Sequence, residues 1–243
     1  MRWLKVEPYH TSDRVNIRRI CCEVAYAGRP LEEWLTLDRE VFADLFTRYY
    51  TDFEADSVFV ARCDNRVAGY VFACLDTARY RCVWRRHVLL PALAHVIRGR
   101  YAFPMKALPR LTALAIAYAR GGGLHAPWRE FPGHLHINTA PDYRGCVSLS
   151  RMLLHRAFAH FTAHGVTRIH GVVMTSRARM EEKYERLGFR VAQCRRAPRR
   201  DARGDGACWL VLTMDLATMP PLPLATASLR TRVGGLAPGL GGH

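Results

Sequence analysis

The feature that most constrains the fold of this chain is a strand, a tight turn and a helix that follow one another without a linker. His134–Thr139 (HLHINT) has a strand pattern, Pro141–Gly145 is typical of a turn, and Ser150–Ala163 has the apolar spacing of a helix. A turn that leads directly into a helix directs unpaired backbone N–H groups and the positive helix end toward one point. That point suits a phosphate or pyrophosphate group, and Arg144 adds positive charge beside it.

The remainder of the C-terminal half alternates between strand and helix periods. Residues 167–174 (TRIHGVVM) predict a strand, and residues 178–187 predict a helix. A predicted strand at 189–193 then leads into an arginine-rich loop, Arg195–Arg203, and a strand at 208–216 closes the domain.

The N-terminal half combines two helices with a pair of strands. Asp64 and Asn65 separate two apolar runs, and this dipeptide is typical of a two-residue hairpin turn. Ser12 or Asp13 can cap the first helix, and Asp38 can cap the second. The predicted elements are a strand at 3–6, a helix that ends at Ala27, a helix that follows Asp38, and strands at 57–63 and 66–76.

Residues 77–130 differ from the segments on either side. They contain two apolar stretches flanked by arginines, Trp84–Ile97 and Leu108–Arg120, followed by three glycines. We interpret this segment as an inserted helical pair. Its apolar faces either pack on the core, cover a substrate site, or form a basic amphipathic element on a membrane surface. Tyr49 and Tyr50 likewise either line a substrate pocket or pack in the core.

Length and composition predict one main domain. The chain has 243 residues, of which 49% are hydrophobic, and that is enough for a sizeable core. Its longest uncharged apolar runs, Val88–Ile97 and Leu111–Ala119, reach about half of the roughly 20 residues that a membrane-spanning helix needs. The first ten residues contain no apolar stretch of the signal-peptide kind. We therefore expect a cytoplasmic protein without a membrane span.

The cysteines and the C-terminus give no sign of a second structural unit. The eight cysteines include no C-x-x-C pair and no zinc-site spacing, so we predict buried thiols, no disulfide framework and no metal site. From Thr218 onward the chain is rich in proline and glycine without a period. We expect a domain over residues 1–216 and a disordered tail over residues 217–243.

The net charge of +15 comes almost entirely from arginine. Such a field attracts anions, including nucleotides and nucleic acid. A GC-rich coding sequence would produce the same excess of arginine without any functional meaning. Nucleic-acid binding is therefore one hypothesis, although the sequence contains no recognised nucleic-acid-binding module.

The ordered run of elements from Gly133 to Phe189 resembles the GNAT acetyltransferase superfamily. The motifs that carry the resemblance are HLHINTAPDYRG, the helix after it, the strand Ile169–Val173 and MEEKYERLGF. The resemblance covers residues 57–214 well and residues 1–56 more loosely. The combination of HLHINTAPDYRG with KYERLGF is most similar to bacterial members related to the acetyltransferase-like domain of some O-GlcNAc hydrolases. The resemblance implies an α/β fold with a mixed sheet of about six to seven strands, helices on both faces and a helical insertion at 77–130.

The resemblance also implies acetyl-CoA as the co-substrate. It would bind in an opening between two parallel strands, residues 134–139 and 167–174. The pantetheine chain would pair with the end of the first strand, and the pyrophosphate would lie on the turn and the helix start. The implied cofactor-binding residues are Ile137, Asn138, Thr139, Arg144, Gly145, Cys146, Val147, Ser148, Leu149 and Ser150.

The implied reaction is direct attack of a primary amine, from a small molecule or a protein, on the thioester. It needs mainly positioning, with a base for the ammonium proton and an acid for the leaving thiolate. Tyr184 matches the family's thiol-protonating tyrosine, because a phenol pKa of about 10 is close to a thiol pKa of about 8.5. The alternative is that Tyr184 only packs beside Leu187 and Phe189.

The identity of the base stays open. His136 and Asp76 are the preferred candidates, His134 and Glu54 are further ones, and water could also carry the proton. His134 and His136 lie on the same face of their strand. The alternative for both histidines is a hydrogen-bonded place in the core. The acceptor and the oligomeric state also stay open, a homodimer included.

Several positions depart from the family pattern. When the chain is aligned on Arg144, Val147 and Leu149 occupy the two positions where small residues let the backbone approach the phosphates. Arg177 stands where asparagine is usual, and Lys183 where an apolar aromatic residue is common. These departures leave open a second hypothesis, in which the chain is a non-catalytic binding or regulatory module with the same fold.

Overall fold

A computed structural model describes residues 3–33, 37–101, 126–175, 180–200 and 206–218. Its strands are β1 (Leu4–Pro8), β2 (Val58–Cys63), β3 (Arg66–Cys74), β4 (Gly133–Thr139), β5 (Arg168–Thr175), β6 (Arg190–Arg200) and β7 (Gly206–Asp215). They form one sheet in the order β1-β2-β3-β4-β5-β7-β6. Within this sheet β4 and β5 are parallel neighbours, and the other neighbouring pairs are antiparallel.

Helices cover both faces of the sheet. The helices are α1 (Arg14–Glu23), α2 (Arg39–Phe53), α3 (Thr77–Val83), α4 (Leu90–Ile97), α5 (Val147–Ala163) and α6 (Met180–Glu185). One apolar cluster joins α1 and α2 to β3 through Tyr70 and Phe72, and we call this side the α2 face. A second cluster joins α5 to the sheet through Val71 and Leu135, and we call this side the α5 face.

The hairpin between β2 and β3 forms as predicted. Asp64 and Asn65 both have positive φ angles, 48° and 64°. Two residues in that conformation form the turn whose twist matches that of the flanking strands. The predicted cap of α2 is also confirmed, because the Asp38 carboxylate accepts a hydrogen bond from the Glu40 N–H at 2.8 Å.

Helix α1 ends at Glu23 and not at Ala27 as predicted. After it, Tyr26 and Arg29 pair through two backbone hydrogen bonds of 2.9 and 2.8 Å. Gly28 completes the turn with a φ of 85°. The apolar spacing continued through this turn, but the local pairing of Tyr26 with Arg29 ended the helix.

The first half of the inserted segment is helical and packs on the core. A π-helical stretch, Trp84–Leu89, joins α3 to α4 just before Pro91, which has no backbone N–H to donate. On the inner side the Trp84 indole donates to the Leu45 carbonyl at 2.7 Å, and Val88 is fully buried. Tyr49 and Tyr50 are buried beneath it in the same cluster. The second predicted helix, 108–120, lies outside the described residues.

The two largest differences from the predicted boundaries in the C-terminal half are at the start of α5 and the end of β6. Helix α5 begins at Val147 and not at Ser150. Strand β6 runs to Arg200, so the loop predicted from Arg195 is wrong over its first part, where the backbone pairs with β7. Residues 176–179, which include Arg177 and the predicted start of α6, lie outside the described ranges, as do residues 201–205 and the predicted tail beyond residue 218.

The described ranges contain no candidate for a membrane-spanning helix or for a metal site. No helix in these ranges is both long and apolar enough to cross a membrane. No group of three or more His, Cys, Asp or Glu side chains there could hold a metal ion.

The prediction of buried thiols holds only in part, because Cys82 and Cys194 are exposed. The buried cysteines are Cys21, Cys22, Cys63 and Cys74.

Candidate active site

Strands β4 and β5 pair only at their beginning. The last paired residues are Leu135 and Gly171. Beyond them β4 stays paired with β3 as far as Thr139, while β5 stays paired with β7 as far as Thr175. The two parallel strands therefore separate toward their carboxyl ends, as the family resemblance implied, and we call the space the β4–β5 gap.

One edge of β4 faces this gap. Ile137, Asn138 and Thr139 pair with β3 on one side, and no described strand pairs with them on the other. Backbone N–H and C=O groups at such an edge can bind an extended ligand in the way that an added strand binds. Three of the predicted cofactor-binding residues lie on this edge.

The turn after β4 leads into an uncapped helix. Pro141–Tyr143 forms one 3-10 turn, and Gly145 has a φ of 85° with open space where a side chain would begin. Helix α5 is 17 residues long, and Cys146 at its N-cap provides no side-chain hydrogen bond to it. The first N–H groups of a helix have no partner within the helix, so this end can bind an anion. We call it the α5 anion seat.

The two departures from the small-residue pattern have different positions. Leu149 is fully buried in the α5-face cluster, so its side chain does not occupy the α5 anion seat. Val147 is 56% exposed at the first turn of the helix. The hydroxyl-bearing residues Ser148 and Ser150 are half-buried.

Arg144 lies in the turn that precedes the α5 anion seat, and its predicted role in binding an anion stays a prediction. Its guanidinium donates a hydrogen bond to the Gly28 carbonyl, in the turn after α1. Arg144 therefore connects the turn after β4 to the turn after α1 on the α2 face.

Tyr184 lies on α6 and packs into the α5-face cluster. Its ring meets Phe189 edge-on, with 6.5 Å between ring centroids. Burial raises the pKa of Tyr184 to about 12. The phenol is therefore protonated at neutral pH and can act as a proton donor, as the acid role requires. The packing alternative is also observed, and the two are compatible.

His134 occupies a hydrogen-bonded place in the core. Its Nε2 lies 2.7 Å from the Tyr50 hydroxyl, and its Nδ1 lies 2.9 Å from the Thr77 hydroxyl. Burial lowers the pKa of His134 well below its usual range. With both ring nitrogens engaged, His134 ties β4 to α2 and α3. The core position predicted as the alternative to a base role therefore describes His134 correctly.

His136 lies at the narrow end of the gap, on the α2 face. It directly follows Leu135, and its half-buried ring stacks on Phe72 with 5.8 Å between centroids. The Asn138 amide donates to the His136 Nε2 at 3.1 Å and to the Tyr70 hydroxyl at 2.8 Å. Because Nε2 accepts this bond, the proton of the neutral ring is on Nδ1. Burial lowers the pKa of His136 to about 4.

These features change the role expected for His136. The lone pair that a base would use is engaged by Asn138. A pKa near 4 also makes the ring a weak proton acceptor at neutral pH. His136 therefore presents a neutral N–H donor, which departs from the prediction of a general base.

Asp76 is also engaged elsewhere. Its carboxylate caps α3 by accepting hydrogen bonds from the N–H groups of Ala78 and Arg79 at 2.8 and 3.1 Å. It follows the end of β3 that pairs with the beginning of β4, away from the wide end of the gap. The geometry gives Asp76 a capping role, and its role as a base stays a prediction. Glu54, the remaining carboxylate candidate, accepts the Leu75 N–H at 2.8 Å.

We expect Asp76→Asn to keep both the activity and the stability of the protein. Asparagine caps helices about as well as aspartate, whereas Asp76→Ala should lower the free energy of unfolding by about 1 kcal/mol. Acetyl transfer and urea denaturation of both variants check this. A loss of 100-fold or more in kcat for Asp76→Asn, with unchanged stability, would return Asp76 to the role of base.

His170 is the neighbour that sequence reasoning missed. It pairs with His134 across the closed part of β4 and β5, and the two ring centroids are 5.7 Å apart. Its Nδ1 lies 2.8 Å from the Phe131 carbonyl, and burial lowers its pKa. No local motif marks this residue, because its place depends on the register of two distant strands.

The buried histidines should make the stability depend on pH. Their pKa values are lowered by folding, so the unfolded chain binds more protons than the folded chain below pH 6.5. The stabilisation is therefore complete above pH 6.5 and is lost as the pH falls toward 4. For His136 alone we expect a loss of about 2 kcal/mol between pH 6.5 and 5. Urea denaturation at several pH values measures it, and His136→Gln should flatten the curve.

Known structures share this fold. The structure called SsHAT superimposes with a TM-score of 0.66 at 26% identity, over 88% of this chain and 98% of that one. An N-acetyltransferase from Staphylococcus aureus gives 0.52 at 11% identity over 88% of this chain and 98% of that one. The yncA protein of Salmonella typhimurium, named as an acetyltransferase and solved with its cofactor acetyl-CoA, gives 0.51 at 14% identity over 91% and 98%.

The chain therefore has the fold of the GNAT N-acetyltransferases, and the predicted fold class is confirmed. Structures with this fold include N-acetyltransferases. No family model matches the sequence. No curated protein matches it significantly.

Proposed function

We propose that this protein is an acetyl-CoA-dependent N-acetyltransferase that transfers the acetyl group to a primary amine of a small molecule or a protein by direct attack. The observation that carries the proposal is the β4–β5 gap, which opens after Leu135 and Gly171 and leads to the α5 anion seat. A gap between parallel strands accepts a long, thin ligand along the exposed strand edge, and a helix N-terminus accepts its diphosphate.

The order of these features along the chain sets the direction of the ligand. The edge residues 137–139 lie between His136 at the narrow end and the turn that leads to the α5 anion seat. A carrier with its diphosphate at the seat therefore extends along β4 toward Leu135. Its thioester end then lies at the narrow end of the gap, which begins at His136. We infer that Tyr184 reaches this end from the α5 face.

Acetyl-CoA supplies a thioester, which an amine can attack without further activation. Tyr184 belongs to the α5 face, and its phenol donates a proton to the leaving sulfur. His136 and Asn138 belong to the α2 face. We infer that the amine enters from the α2 face, that His136 orients it or the acyl oxygen through an N–H donor, and that water removes its proton.

A single charge at the α5 anion seat tests the cofactor site. We expect Ser148→Asp to raise the Kd for acetyl-CoA at least tenfold in isothermal titration, because the new carboxylate repels the diphosphate. The same change should leave the protein as stable or slightly more stable, since an acid in the first turn of a helix contributes about 0.3–1 kcal/mol. If the Kd rises while the stability is unchanged or higher, the variant has lost binding and not folding.

Val15→Asp is the matched control, because Val15 is 74% exposed in the first turn of α1 and distant in sequence from the gap. It should leave the Kd unchanged. If the natural protein binds no acetyl-CoA up to millimolar concentration, the proposal fails and the non-catalytic module with the same fold takes its place. Val147 at the seat is the observation behind that second hypothesis.

Several finer predictions accompany this proposal. The similarity to the acetyltransferase-like domain of O-GlcNAc hydrolases is supported by the KYERLGF stretch. A cytoplasmic location, a homodimer and the division at residue 216 also stay predictions. Nucleic-acid binding also stays a hypothesis, and the backbone of Arg195–Arg200 belongs to strand β6 and not to a loop.

A further inference from the structure

The outer side of the inserted helical segment Thr77–Ile97 carries a feature that acetyl transfer does not use. Its inner side is fully engaged, with Trp84 bonded to α2 and both Val88 and Ala92 buried. On the outer side Leu90, Leu93 and Ile97 are 60%, 49% and 85% exposed. Their spacing of three and four residues places them in one row along the helix. We call this row the α4 ridge.

The exposed apolar side chains of the α4 ridge lie together on one helix, unlike those elsewhere on the described surface. The other large exposed hydrophobic side chains of the described residues, such as Trp3, Val15 and Phe46, lie on different elements. Single exposed apolar residues are normal, whereas several together mark an interaction surface. A shallow groove of about 320 Å³ continues the ridge toward its N-terminal end. The groove is lined by Cys82, Arg85, Arg86, Leu89 and Leu90.

Positive charge flanks the α4 ridge at both ends. Arg85 and Arg86 are exposed before it, and Arg98 and Arg100 are exposed after it. The sequence from Thr77 to Tyr101 contains six arginines and no aspartate or glutamate. The ridge therefore combines aliphatic side chains with an uncompensated cationic rim.

We propose that the α4 ridge is a docking surface for an anionic phospholipid bilayer, on which the helix lies parallel to the membrane plane. A helix with an apolar row and a basic rim lies at the boundary between headgroups and acyl chains. Leu90, Leu93 and Ile97 enter the acyl region. The arginines reach anionic headgroups with their long side chains.

Charge selects this partner over a second copy of the chain. Two ridges face to face would bring their arginine rims together, and like charges at such a contact repel. An anionic bilayer supplies negative charge and hydrocarbon at the same surface. Each basic residue near such a surface contributes about 1 kcal/mol of attraction.

Vesicle flotation with the full chain tests the proposal. We expect binding to phosphatidylcholine vesicles that contain about 30% phosphatidylglycerol, at least tenfold weaker binding to pure phosphatidylcholine, and loss of binding at about 0.5 M salt. The triple variant Leu90→Gln/Leu93→Gln/Ile97→Gln should lose binding at least tenfold. The variant Arg85→Gln/Arg86→Gln should lose about tenfold or more.

Matched controls change the same residue types elsewhere. Val15→Gln alters an exposed aliphatic residue on α1, and Arg66→Gln/Arg186→Gln removes two exposed arginines outside the helix. Both should bind anionic vesicles like the natural protein. Two results would overturn the proposal. If the controls lose vesicle binding as strongly as the ridge variants, net charge or overall hydrophobicity explains the binding. If the protein binds both vesicle types equally, the binding is non-specific adsorption.

The other occupants of the ridge give different results, and each overturns the proposal. A dimer in light scattering that dissociates in the triple variant assigns the ridge to a second copy. Binding of polyglutamate without binding of anionic vesicles assigns it to an acidic protein. A melting temperature lowered in the triple variant, without vesicle binding by the natural protein, assigns it to packing within the chain. Acetyl-CoA binding is measured separately and does not depend on any of these outcomes.

Discussion

Tyr184→Phe should reduce kcat for acetyl transfer by about 100-fold or more, with little change in the Kd for acetyl-CoA. General acid catalysis contributes about 10²- to 10⁴-fold, and phenylalanine removes the proton donor while it keeps the ring. Steady-state kinetics together with isothermal titration check both halves of this expectation. The ring contact with Phe189 is retained, so the melting temperature should change little.

The pH profile distinguishes this acid from a titrating base. With a pKa of about 12, Tyr184 stays protonated from about pH 6 to 10, so activity should not fall across that range through loss of this proton. Tyr101→Phe is the control, since it removes a hydroxyl of the inserted segment that donates to the Asp44 carboxylate on α2. Equal activity of Tyr184→Phe and the natural protein would leave Tyr184 as a packing residue only.

Several local signals in the sequence predicted the local structure correctly, although Asp13 at the N-cap of α1 provides no side-chain hydrogen bond to that helix. Asp64 and Asn65 specify a hairpin through their own φ angles, and Asp38 caps α2 through a neighbour two residues away. The strand, turn and helix after His134 were predicted for the same reason, since each is decided by adjacent residues. The separation of β4 from β5 followed from family resemblance and not from local pattern.

The candidate site was less predictable, because its roles depend on residues that are far apart in sequence. The tautomer of His136 is set by Asn138, which is held in turn by Tyr70, 68 positions away. Asp76 looked equally suitable as a base, and only its hydrogen bonds to the start of α3 show that it is a cap. A given residue type can serve several roles. Which role it takes depends on the neighbours that the register of the sheet brings to it.

The arginine-rich segment shows that composition alone does not predict secondary structure. A run of arginines near Arg195 predicted a solvated loop, but its backbone pairs with β7, a strand whose central residues are buried. Strand formation there depends on a partner that lies after the segment in the chain. Charge density carries no information on that partner.

Gly69→Ala should weaken acetyl-CoA binding at least tenfold and lower the free energy of unfolding by about 2 kcal/mol. A Cβ at position 69 would lie 2.7 Å from the Asn138 carbonyl oxygen and 3.2 Å from the Thr139 Cα. Both are backbone atoms of β4 and cannot turn aside as a side chain can. The strand end that borders the gap must therefore move.

Gly133→Ala is the informative comparison, because it should cost stability without moving that edge. Its Cβ would lie 2.8 Å from Val166 and 2.9 Å from Ile169, and both contacts are with side chains at the closed end of β4. We therefore expect a similar loss of unfolding free energy with a nearly unchanged Kd for acetyl-CoA. If both variants lose affinity in proportion to their stability, the edge at Ile137–Thr139 has no special part in binding. If Gly69→Ala alone loses affinity, the carboxyl-terminal half of β4 holds the ligand.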